Sequence, residues 1–356
     1  MTLGYQSGPL VPVPNILLLS TDSGGQTGRS GYSILAEYIK GSHLIHTVRA
    51  DPQRWLTRLA TGILSRLTLS RWYRFGSAQM ELKAWRFLIG GFNGVIHVLW
   101  ADCDLGFIDL LRSRIRHPIC ATFHTPSAKL AENVNFPSRL RFIDRIILMS
   151  ESQREFFEAH GVAKEKLRVV LHGVDTSYFR PGRGGGAENF TVLFVGTFLR
   201  NFTLLRQVCE ALLPLKDVAV RIVSSPSVRP VFAGLPNVVF TPRLSDAELL
   251  EAYQSASCLL MTAKDATANN ALLEAMACGL PVVSERVGGI PEYVNGECAY
   301  LTEPGMVEPI VEALIRLRDS APLRAGMGEA SRRRAEELRW ENAAARTMEI
   351  YRGLRA

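Results

Sequence analysis

The stretch DATANNALLEAMACGLPVVSERVGGIPEYV, residues 265–294, contains a predicted helix, a predicted strand and a glycine-rich loop in direct succession. Polar residues open the helix, which the pattern predicts over Asn269 to Met276, and Gly279 ends it. The apolar run PVVS then predicts a buried strand, and the loop Val287 to Glu292 follows. This order is typical of an α/β protein whose parallel sheet is covered by helices.

The same alternation of strands and helices extends over most of the chain. In the first half the predicted strands are NILLLS, LIHTV, GVIHVLW, PICATFH, RIILMS and LRVVLH. In the second half they are FTVLFVG, VAVRIVS, NVVF, CLLMT, LPVVSE and CAYL. A helix is predicted from about Ser30 to Ile39, after the first strand and its glycine-rich turn. Two similar sets of strands indicate two similar α/β domains.

A glycine-rich linker separates the two sets, since FRPGRGGGAEN contains Pro181 and four glycines. We predict an N-terminal domain over residues 1–180, a linker over 181–189 and a C-terminal domain over 190–335. The tail, 336–356, is expected to pack back onto the body as the end of one long helix or as the second of two. Ligands of such sheets bind at the carboxyl ends of the strands, so the cleft between the domains is the predicted site.

Composition excludes several classes of protein. The chain has 356 residues, of which 47% are hydrophobic and 21% charged, which excludes a disordered tail, a collagen-like fibre and a small disulfide-rich module. A length above that of one typical core predicts two domains. The formal net charge of +7 favours an anionic partner, which could be a phosphate ligand, a membrane surface or nucleic acid.

The cysteines and the chain's hydropathy predict a cytoplasmic protein. Six cysteines are present without a C-x-x-C pair, and most lie in apolar runs, so we expect reduced, buried thiols. The first fifteen residues lack the layout of a signal peptide, and no apolar run approaches the ~20 residues of a spanning helix. The chain is therefore expected to be soluble or to lie on the inner face of the membrane.

The turn after the first strand is a candidate anion site. Gly24, Gly25 and Gly28 lie between that strand and the next helix, where backbone amides and a helix N-terminus favour a negative charge. A tight connection that binds nothing is equally compatible with these glycines. Asp51 follows the second strand and would suit a nicotinamide enzyme, but the spacing of the glycines differs from that of the dinucleotide motif.

Two further residues stand out by their positions. His124 ends a predicted strand in ATFHTPSAKL, at the sheet edge where sites form. Glu274 lies in the otherwise apolar helix ALLEAMAC, where a carboxylate is costly to bury without partners. It is either an exposed residue on an amphipathic helix or the acceptor of two hydroxyls, such as those of a ribose.

The segment NNALLEAMACGLPVVSERVGGIPEYV resembles the C-terminal donor site of glycosyltransferase family 4, whose members have the GT-B fold. Four other segments resemble the same family in the same order: SGGQTGRSGYS, FHTP, ILMSESQREFFEAHGVAKEKLRVVLHGVDTSYFRP and VLFVGTFLRN. The resemblance covers nearly the whole chain and is weakest over about residues 50 to 90. It implies two doubly wound, Rossmann-like domains around a cleft, with a C-terminal helix that packs back on the N-terminal domain.

The resemblance also implies roles for individual residues. Glu274 would bind the nucleotide ribose, and the backbone amides near Asn269, Asn270 and Ala271 would contact the donor sugar and phosphate. His124 would lie near the transferred sugar. Gly24 and Gly25 would lie beside the diphosphate or the acceptor.

Two positions depart from the family's pattern. The family places an arginine after the glycine of VG, but Thr197 stands there, and Arg200 is the nearest candidate cation for the diphosphate. The family also has a glutamate eight positions before Glu274, where this chain has Ala266. We expect the neighbouring Asp265 to take over part of that glutamate's function.

The predicted function is transfer of a sugar from a nucleotide-diphosphate sugar to a glycan, a lipid-linked acceptor or another acceptor, with retention as the family implies. No metal or other cofactor is expected; Asp102-Cys103-Asp104 has the shape of an acidic motif but is interpreted as a strand-to-helix loop. Two alternatives remain: a nucleotide-sugar epimerase on the same fold, and a catalytically degenerate subunit that binds nucleotide or glycan.

Residues 52–87 suggest a membrane surface. The stretch combines seven basic residues with interleaved aromatic residues and one acid, Glu81. Trp55, Leu59, Ile63 and Leu67 recur at helical spacing. The stretch is either an internal helix with a solvated basic face or an interfacial surface beside a lipid-linked acceptor. Nothing in it resembles a nucleic-acid module, so nucleic acid is not an expected partner.

Overall fold

The computed structural model describes residues 15–21, 29–47, 55–108, 117–182 and 189–354. It contains two six-stranded parallel sheets, one in each half of the chain. The first sheet comprises β1 (Ile16–Thr21), β2 (Ser42–Thr47), β3 (Val95–Val98), β4 (Ile119–Phe123), β5 (Arg145–Leu148) and β6 (Leu167–Val169). The second comprises β7 (Phe190–Val195), β8 (Val218–Ser224), β9 (Val238–Pro242), β10 (Cys258–Met261), β11 (Val282–Glu285) and β12 (Ala299–Thr302). Every predicted strand is present, within a few residues at its ends.

Helices connect the strands and cover both sheets. In the first half they are α1 (Leu35–Tyr38), α2 (Trp55–Leu67), α3 (Phe75–Ile89), α4 (Ala101–Asp104), α5 (Ser127–Asn133) and α6 (Arg154–Ala159). In the second half they are α7 (Phe202–Ala211), α8 (Asp246–Ser255), α9 (Asn270–Ala277), α10 (Ile290–Tyr293), α11 (Val307–Asp319), α12 (Ala321–Glu337) and α13 (Trp340–Gly353). The helix predicted from Ser30 to Ile39 is shorter than expected, a 3₁₀ turn followed by α1.

The order of the strands creates one switch point in each sheet. The first sheet has the order β2-β1-β3-β4-β5-β6, so the chain reverses direction across the sheet between β1 and β3. The second has the order β12-β11-β10-β7-β8-β9, with its reversal between β7 and β10. Because ligands bind outside the carboxyl ends of strands at such points, the loops after these four strands are the expected site.

The central strands of each sheet are buried on both faces, which explains their continuous apolar runs. In β1, Leu17 and Leu19 pack in a core on one face, while Ile16 and Leu18 pack in a second core on the other. The second sheet likewise separates two apolar cores. The domain boundaries at residues 180, 190 and 335 remain predictions.

The tail forms two helices that contact different halves. α12 begins at Ala321, and its Ala330 and Ala335 pack in a core of the second half. α13 begins at Trp340 and packs with Ile16, Leu18 and Tyr32 against the first sheet. Gly173 accommodates the indole, since a Cβ there would lie 2.4 Å from Trp340 Cδ2. The fold is therefore GT-B-like, with a C-terminal helix that returns to the N-terminal half.

Candidate functional site

The carboxyl ends of the two sheets face each other across a set of direct contacts. The Thr267 hydroxyl donates to the His124 carbonyl, and the Tyr293 hydroxyl donates to the Met149 carbonyl at 2.7 Å. Gly289 lies so close to Ser150 that a Cβ would be 2.5 Å from the serine Cβ. These contacts bring the loops after β4 and β10 together, so residues far apart in sequence share one crevice.

Glu274 lies on the buried side of α9, with 4% of its surface exposed. Its Oε2 accepts a 2.8 Å hydrogen bond from the Tyr253 hydroxyl, and the Ser30 side chain also hydrogen-bonds to the carboxyl group. Burial raises the pKa of Glu274 to about 8, while these two hydrogen bonds act in the opposite direction. Glu274 also lines a narrow crevice that Ser30 and Asn270 border from opposite halves. The exposed amphipathic alternative for Glu274 is therefore wrong.

The N-terminus of α9 opens toward the same crevice. Asn269 caps it, with the side-chain oxygen accepting from the Leu272 amide at 3.2 Å. The first-turn amides of Asn270 and Ala271 lie beyond this cap, where the helix dipole favours an anion. The predicted helix over Asn269 to Met276 begins and ends within one residue of the observed one, and Gly279 adopts the left-handed φ of +78° that ends it.

Arg200 lies at the second switch point but is engaged by the protein. Its Nε and Nη2 both donate to the Val195 carbonyl, at 3.1 and 3.0 Å, and Nη2 also donates to Asn269 Oδ1 at 3.2 Å. Burial lowers its pKa to about 10, which leaves the guanidinium charged at neutral pH. Gly196, with φ of +108°, makes room for it, since a Cβ there would lie 2.7 Å from Nη2. Arg200 thus places a positive charge beside the α9 cap, while its donors point to protein oxygens.

Asp265 is half-buried in the loop before α9. Its Oδ1 accepts from the Ala266 amide at 2.8 Å, and burial raises its pKa. The loop after β11 packs against it so closely that a Cβ on Gly288 would lie 2.5 Å from that oxygen. Ala266 itself is buried. Asp265 therefore has one oxygen committed to its own loop, and its predicted contact with the sugar stays a prediction.

His124 is held by the backbone at the end of β4. Its Nε2 lies 2.7 Å from the Leu99 carbonyl, and its ring packs against Trp100, at 4.0 Å between centroids, and edge-on against Tyr32, at 4.7 Å. Burial lowers its pKa to about 4, so the ring is neutral at neutral pH. A neutral ring that donates through Nε2 keeps Nδ1 as an acceptor, which can receive a hydroxyl hydrogen bond.

Asp102 fixes the position of His124. Its Oδ2 accepts from the His124 amide at 2.7 Å, and its Oδ1 accepts from the Thr125 amide and hydroxyl. Asp104 performs the same function for β1, accepting from the Thr21 amide at 2.9 Å and from its hydroxyl at 2.7 Å. These carboxylates lie in the one-turn helix α4, where the sequence predicted a loop. The motif-shaped pair is buried and anchors two strand ends.

An aromatic cluster connects His124 to the crevice of Glu274. The Tyr32 ring lies 5.5 Å from His172 and 5.8 Å from Trp340, between centroids. His172 and Trp340 line the same crevice as Glu274. The buried Tyr32 ring thus joins His124 to the wall of the crevice that Glu274 lines. Gly24 and Gly25 lie outside the described residues.

Sequence reasoning missed several residues of this site. Tyr253 and Ser30 contact Glu274, and Asp102 and Asp104 hold the strand ends, yet none was proposed as a functional residue. The two aspartates carried a signal, since buried carboxylates after a strand in LWADCDLGF need partners. Tyr253 carried none, because its partner is 21 residues away on another helix.

The membrane-surface stretch presents apolar residues outward. In α2 the exposed fractions are 61% for Leu56, 56% for Leu59, 49% for Ile63 and 59% for Leu67. Arg58, Arg66, Arg71 and Arg74 are also exposed. Glu81 points inward, where it accepts from the Tyr73 hydroxyl at 2.8 Å and from the amides of residues 106–108. The internal-helix alternative is therefore wrong for α2, whose apolar row faces outward.

The described ranges hold neither a cluster of metal-ligating side chains nor a membrane-spanning helix. Among those residues no group of three or more His, Cys, Asp or Glu side chains could hold a metal ion. None of the helices in these ranges combines the length with the apolar character that a membrane span requires. The six cysteines, all within the described ranges, form no disulfide bond with one another, and five of them are buried.

Comparison with known families identifies both halves of the chain. The family model for glycosyltransferase family 4 matches residues 41–178, and the model for glycosyl transferases group 1 matches residues 189–320. MMP α-(1→4)-mannosyltransferase of Mycolicibacterium hassiacum is 31% identical over 218 residues, which cover 58% of this chain and 53% of that protein. The chain spans about half the length of this relative and of a second curated relative.

Solved structures agree on the fold. Sucrose-phosphate synthase from Thermosynechococcus elongatus superposes with a TM-score of 0.74 at 19% identity, over 96% of this chain and 99% of that one. Anabaena HepE in complex with UDP-glucose superposes with a TM-score of 0.69 at 16% identity, over 95% of this chain and 100% of that one. The two halves, their matching family models and the shared architecture show that the chain belongs to the group 1 and family 4 glycosyltransferases of GT-B fold.

Proposed function

We propose that this protein transfers a sugar from a nucleotide-diphosphate sugar to an acceptor, with retention of configuration. The observation that carries the proposal is Glu274, a nearly buried carboxyl group that lines a crevice beside the capped N-terminus of α9. A carboxylate and a helix N-terminus side by side suit the two halves of a nucleoside diphosphate, the ribose and the phosphates. HepE, which shares the fold, was solved with UDP-glucose.

Within this proposal the donor's parts are assigned to specific groups. Glu274 accepts the ribose hydroxyls, and the amides of Asn270 and Ala271 contact the phosphates. Arg200, whose guanidinium donates to the α9 cap residue Asn269, lies close enough for its positive charge to stabilise the departing diphosphate. Gly24 and Gly25 remain proposed contacts of the diphosphate or the acceptor. The reaction as proposed uses no metal or other cofactor.

His124 and Asp265 are proposed to contact the transferred sugar. The neutral His124 accepts a sugar hydroxyl at Nδ1, since Nε2 is directed at Leu99. The Thr267 hydrogen bond to the His124 carbonyl places the Asp265 loop next to it. Asp265 supplies one acceptor where Ala266 has none. Together they orient the sugar, and orientation is a large part of what such a transfer requires.

We propose that the acceptor is a glycan or lipid-linked molecule reached at an anionic membrane surface, on the cytoplasmic face. The exposed apolar row of α2 and the exposed arginines beside it support this, because apolar burial and attraction to anionic lipids add together. Liposome flotation tests it. The wild type is expected to float with anionic vesicles, less so at high salt, and the triple substitution of Arg66, Arg71 and Arg74 by Ser to release it. A wild type that stays at the bottom at low salt would contradict the membrane proposal.

Product analysis separates the alternatives. A labelled nucleotide sugar is incubated with the protein, with and without detergent-solubilised lipid and glycan acceptors. The proposal predicts a labelled acceptor and free nucleoside diphosphate. An epimerase would convert the donor without acceptor, and the transferase names of the relatives give no support to it. A degenerate subunit would bind nucleotide and turn over nothing.

A thermal-shift panel of nucleoside diphosphates selects the donor base, since binding to the folded state raises its stability.

A further inference from the structure

Two hydroxyl groups bind the Glu274 carboxyl group in the ligand-free protein, and they differ in their surroundings. Tyr253 reaches it from α8 and is fully buried, with its hydroxyl 2.8 Å from Oε2. Ser30 reaches it from the first half of the chain, is partly exposed and lines the crevice. One partner is therefore enclosed by the fold, and the other lies where a ligand enters.

We propose that Tyr253 is a positioning residue for the donor: its hydroxyl holds one oxygen of Glu274, while the ribose takes the place of Ser30 at the other. The inference rests on the proposed function, since it concerns the same donor site. On donor binding the Tyr253 hydrogen bond is kept and the Ser30 hydrogen bond is lost, a difference that a purely structural network would not require.

The fold gives Tyr253 a fixed position. Its ring packs edge-on against Phe179, with 6.1 Å between centroids, and it belongs to the core between α8 and α9. A tyrosine hydroxyl whose own ionisation is strongly disfavoured by burial and by the neighbouring carboxyl group acts only as a hydrogen-bond donor there. The Tyr253 donor at Oε2 limits rotation of the carboxyl group, which leaves Oε1 as the oxygen assigned to the ribose.

The charged groups around the carboxyl group determine how this arrangement responds to pH. Six titratable groups from neighbouring elements either interact electrostatically with Glu274 or Tyr253 or line the crevice: Arg29, His172, Asp175, Arg200, Asp246 and Cys278. His172 is neutral, because burial lowers its pKa to about 3. Burial raises the pKa of Glu274, and the Tyr253 hydrogen bond opposes that rise. Removing the hydroxyl should therefore raise the Glu274 pKa further.

The experiment measures nucleoside diphosphate affinity by calorimetry in wild type, Tyr253→Phe, Ser30→Ala and Glu274→Gln. The probes are UDP, GDP and ADP, with the 2′-deoxy and 3′-deoxy forms of whichever binds most tightly. Above pH 8, where Glu274 is ionised, loss of one hydrogen bond to a charged group corresponds to about a 10- to 100-fold weakening, which is the change expected for Tyr253→Phe. Ser30→Ala removes the hydroxyl that the ribose is proposed to replace, so its affinity should be a few-fold tighter.

Two readouts distinguish positioning from simple support of the fold. Tyr253→Phe should reduce the preference for ribose over the deoxy forms. It should also shift the midpoint of the rise in affinity with pH to a higher pH. In a Glu274→Gln background the same substitution should have little further effect, because it acts through Glu274.

Several results would overturn the inference. Wild type that binds no nucleoside diphosphate would remove both the proposed function and the inference. If the wild type binds and Tyr253→Phe has the same affinity, ribose preference and pH midpoint, the proposed role of Tyr253 is wrong but the proposed function stands. The same holds if Tyr253→Phe weakens binding equally with or without Glu274. If Tyr253→Phe fails to fold, the affinity of Ser30→Ala still tests the exchange of Ser30 for the ribose. A loss of affinity as large as that of Glu274→Gln would show that the ribose does not replace Ser30.

Discussion

The exposed apolar row of α2 leads to a quantitative prediction for membrane binding. Leu56, Leu59, Ile63 and Leu67 together expose somewhat more than two whole side chains, by their exposed fractions. Full burial of such a side chain is worth about 1.5–3 kcal/mol, so placing the row in a membrane interface should contribute about 3–7 kcal/mol. Each nearby arginine adds about 1 kcal/mol on an anionic leaflet. The apolar row and the four exposed arginines are thus expected to contribute similar amounts.

The perturbation is the double substitution Leu59→Ser and Ile63→Ser. These two residues expose about one side chain between them, so their loss should cost about 1.5–3 kcal/mol of membrane binding, or a 10- to 150-fold lower partition coefficient. Stability should change little, because both side chains already face outward. The matched control is Val239→Thr with Met306→Ser, two residues exposed by 56% and 47% on the other half of the chain.

The assay is sedimentation with anionic vesicles at a series of lipid concentrations, beside thermal unfolding of each variant. The control variant should bind as the wild type does. If the α2 variant keeps wild-type partitioning, the row does not enter the membrane. If it loses several kcal/mol of stability instead, the row is covered in solution, and the reasoning from its exposure fails.

Three other substitutions test the construction of the site. Asp265→Asn should lower the rate of sugar transfer and change the sugar preference, because the loop then lacks its carboxylate; an unchanged rate and preference would remove Asp265 from the site. Asp102→Asn should lower the free energy of unfolding by about 1.5–3 kcal/mol, because it replaces a carboxylate that accepts from the His124 amide. It should also lower the rate of sugar transfer by more than the loss of folded protein explains. Denaturant unfolding and kinetics compared at equal folded fraction decide this. Gly173→Ala should lower stability by about 1–3 kcal/mol, because its Cβ would meet the Trp340 ring, and an unchanged unfolding midpoint would mean that α13 shifts freely.

Sequence patterns predicted the sheets better than the loops between them. The central strands are buried on both faces, which makes the apolar run itself a reliable signal, whereas the edge strands β2, β6, β9 and β12 are partly exposed. Asn269 and Gly279 bound α9 as predicted because both act locally, one as a cap and one through its left-handed backbone. Local rules of this kind do not depend on the rest of the fold.

The partners of the site residues could not be predicted in the same way. The hydrogen bonds of Glu274 to Tyr253 and Ser30, and of Thr267 to His124, join residues that only the packing of two sheets brings together. Arg200 was expected to present its charge to a ligand, yet its position beneath Gly196 directs its donors to the Val195 carbonyl. Such outcomes depend on three-dimensional proximity, which a single sequence does not encode locally.

A crystal structure with the tightest-binding nucleoside diphosphate tests the central claim, that the donor binds between α9 and the first half of the chain. The account predicts a ribose hydroxyl within about 2.5–3.0 Å of Glu274, the Tyr253 hydrogen bond retained, Ser30 displaced, and the diphosphate against the amides of Asn270 and Ala271. A nucleotide bound elsewhere, with both hydroxyls still on Glu274, would contradict it.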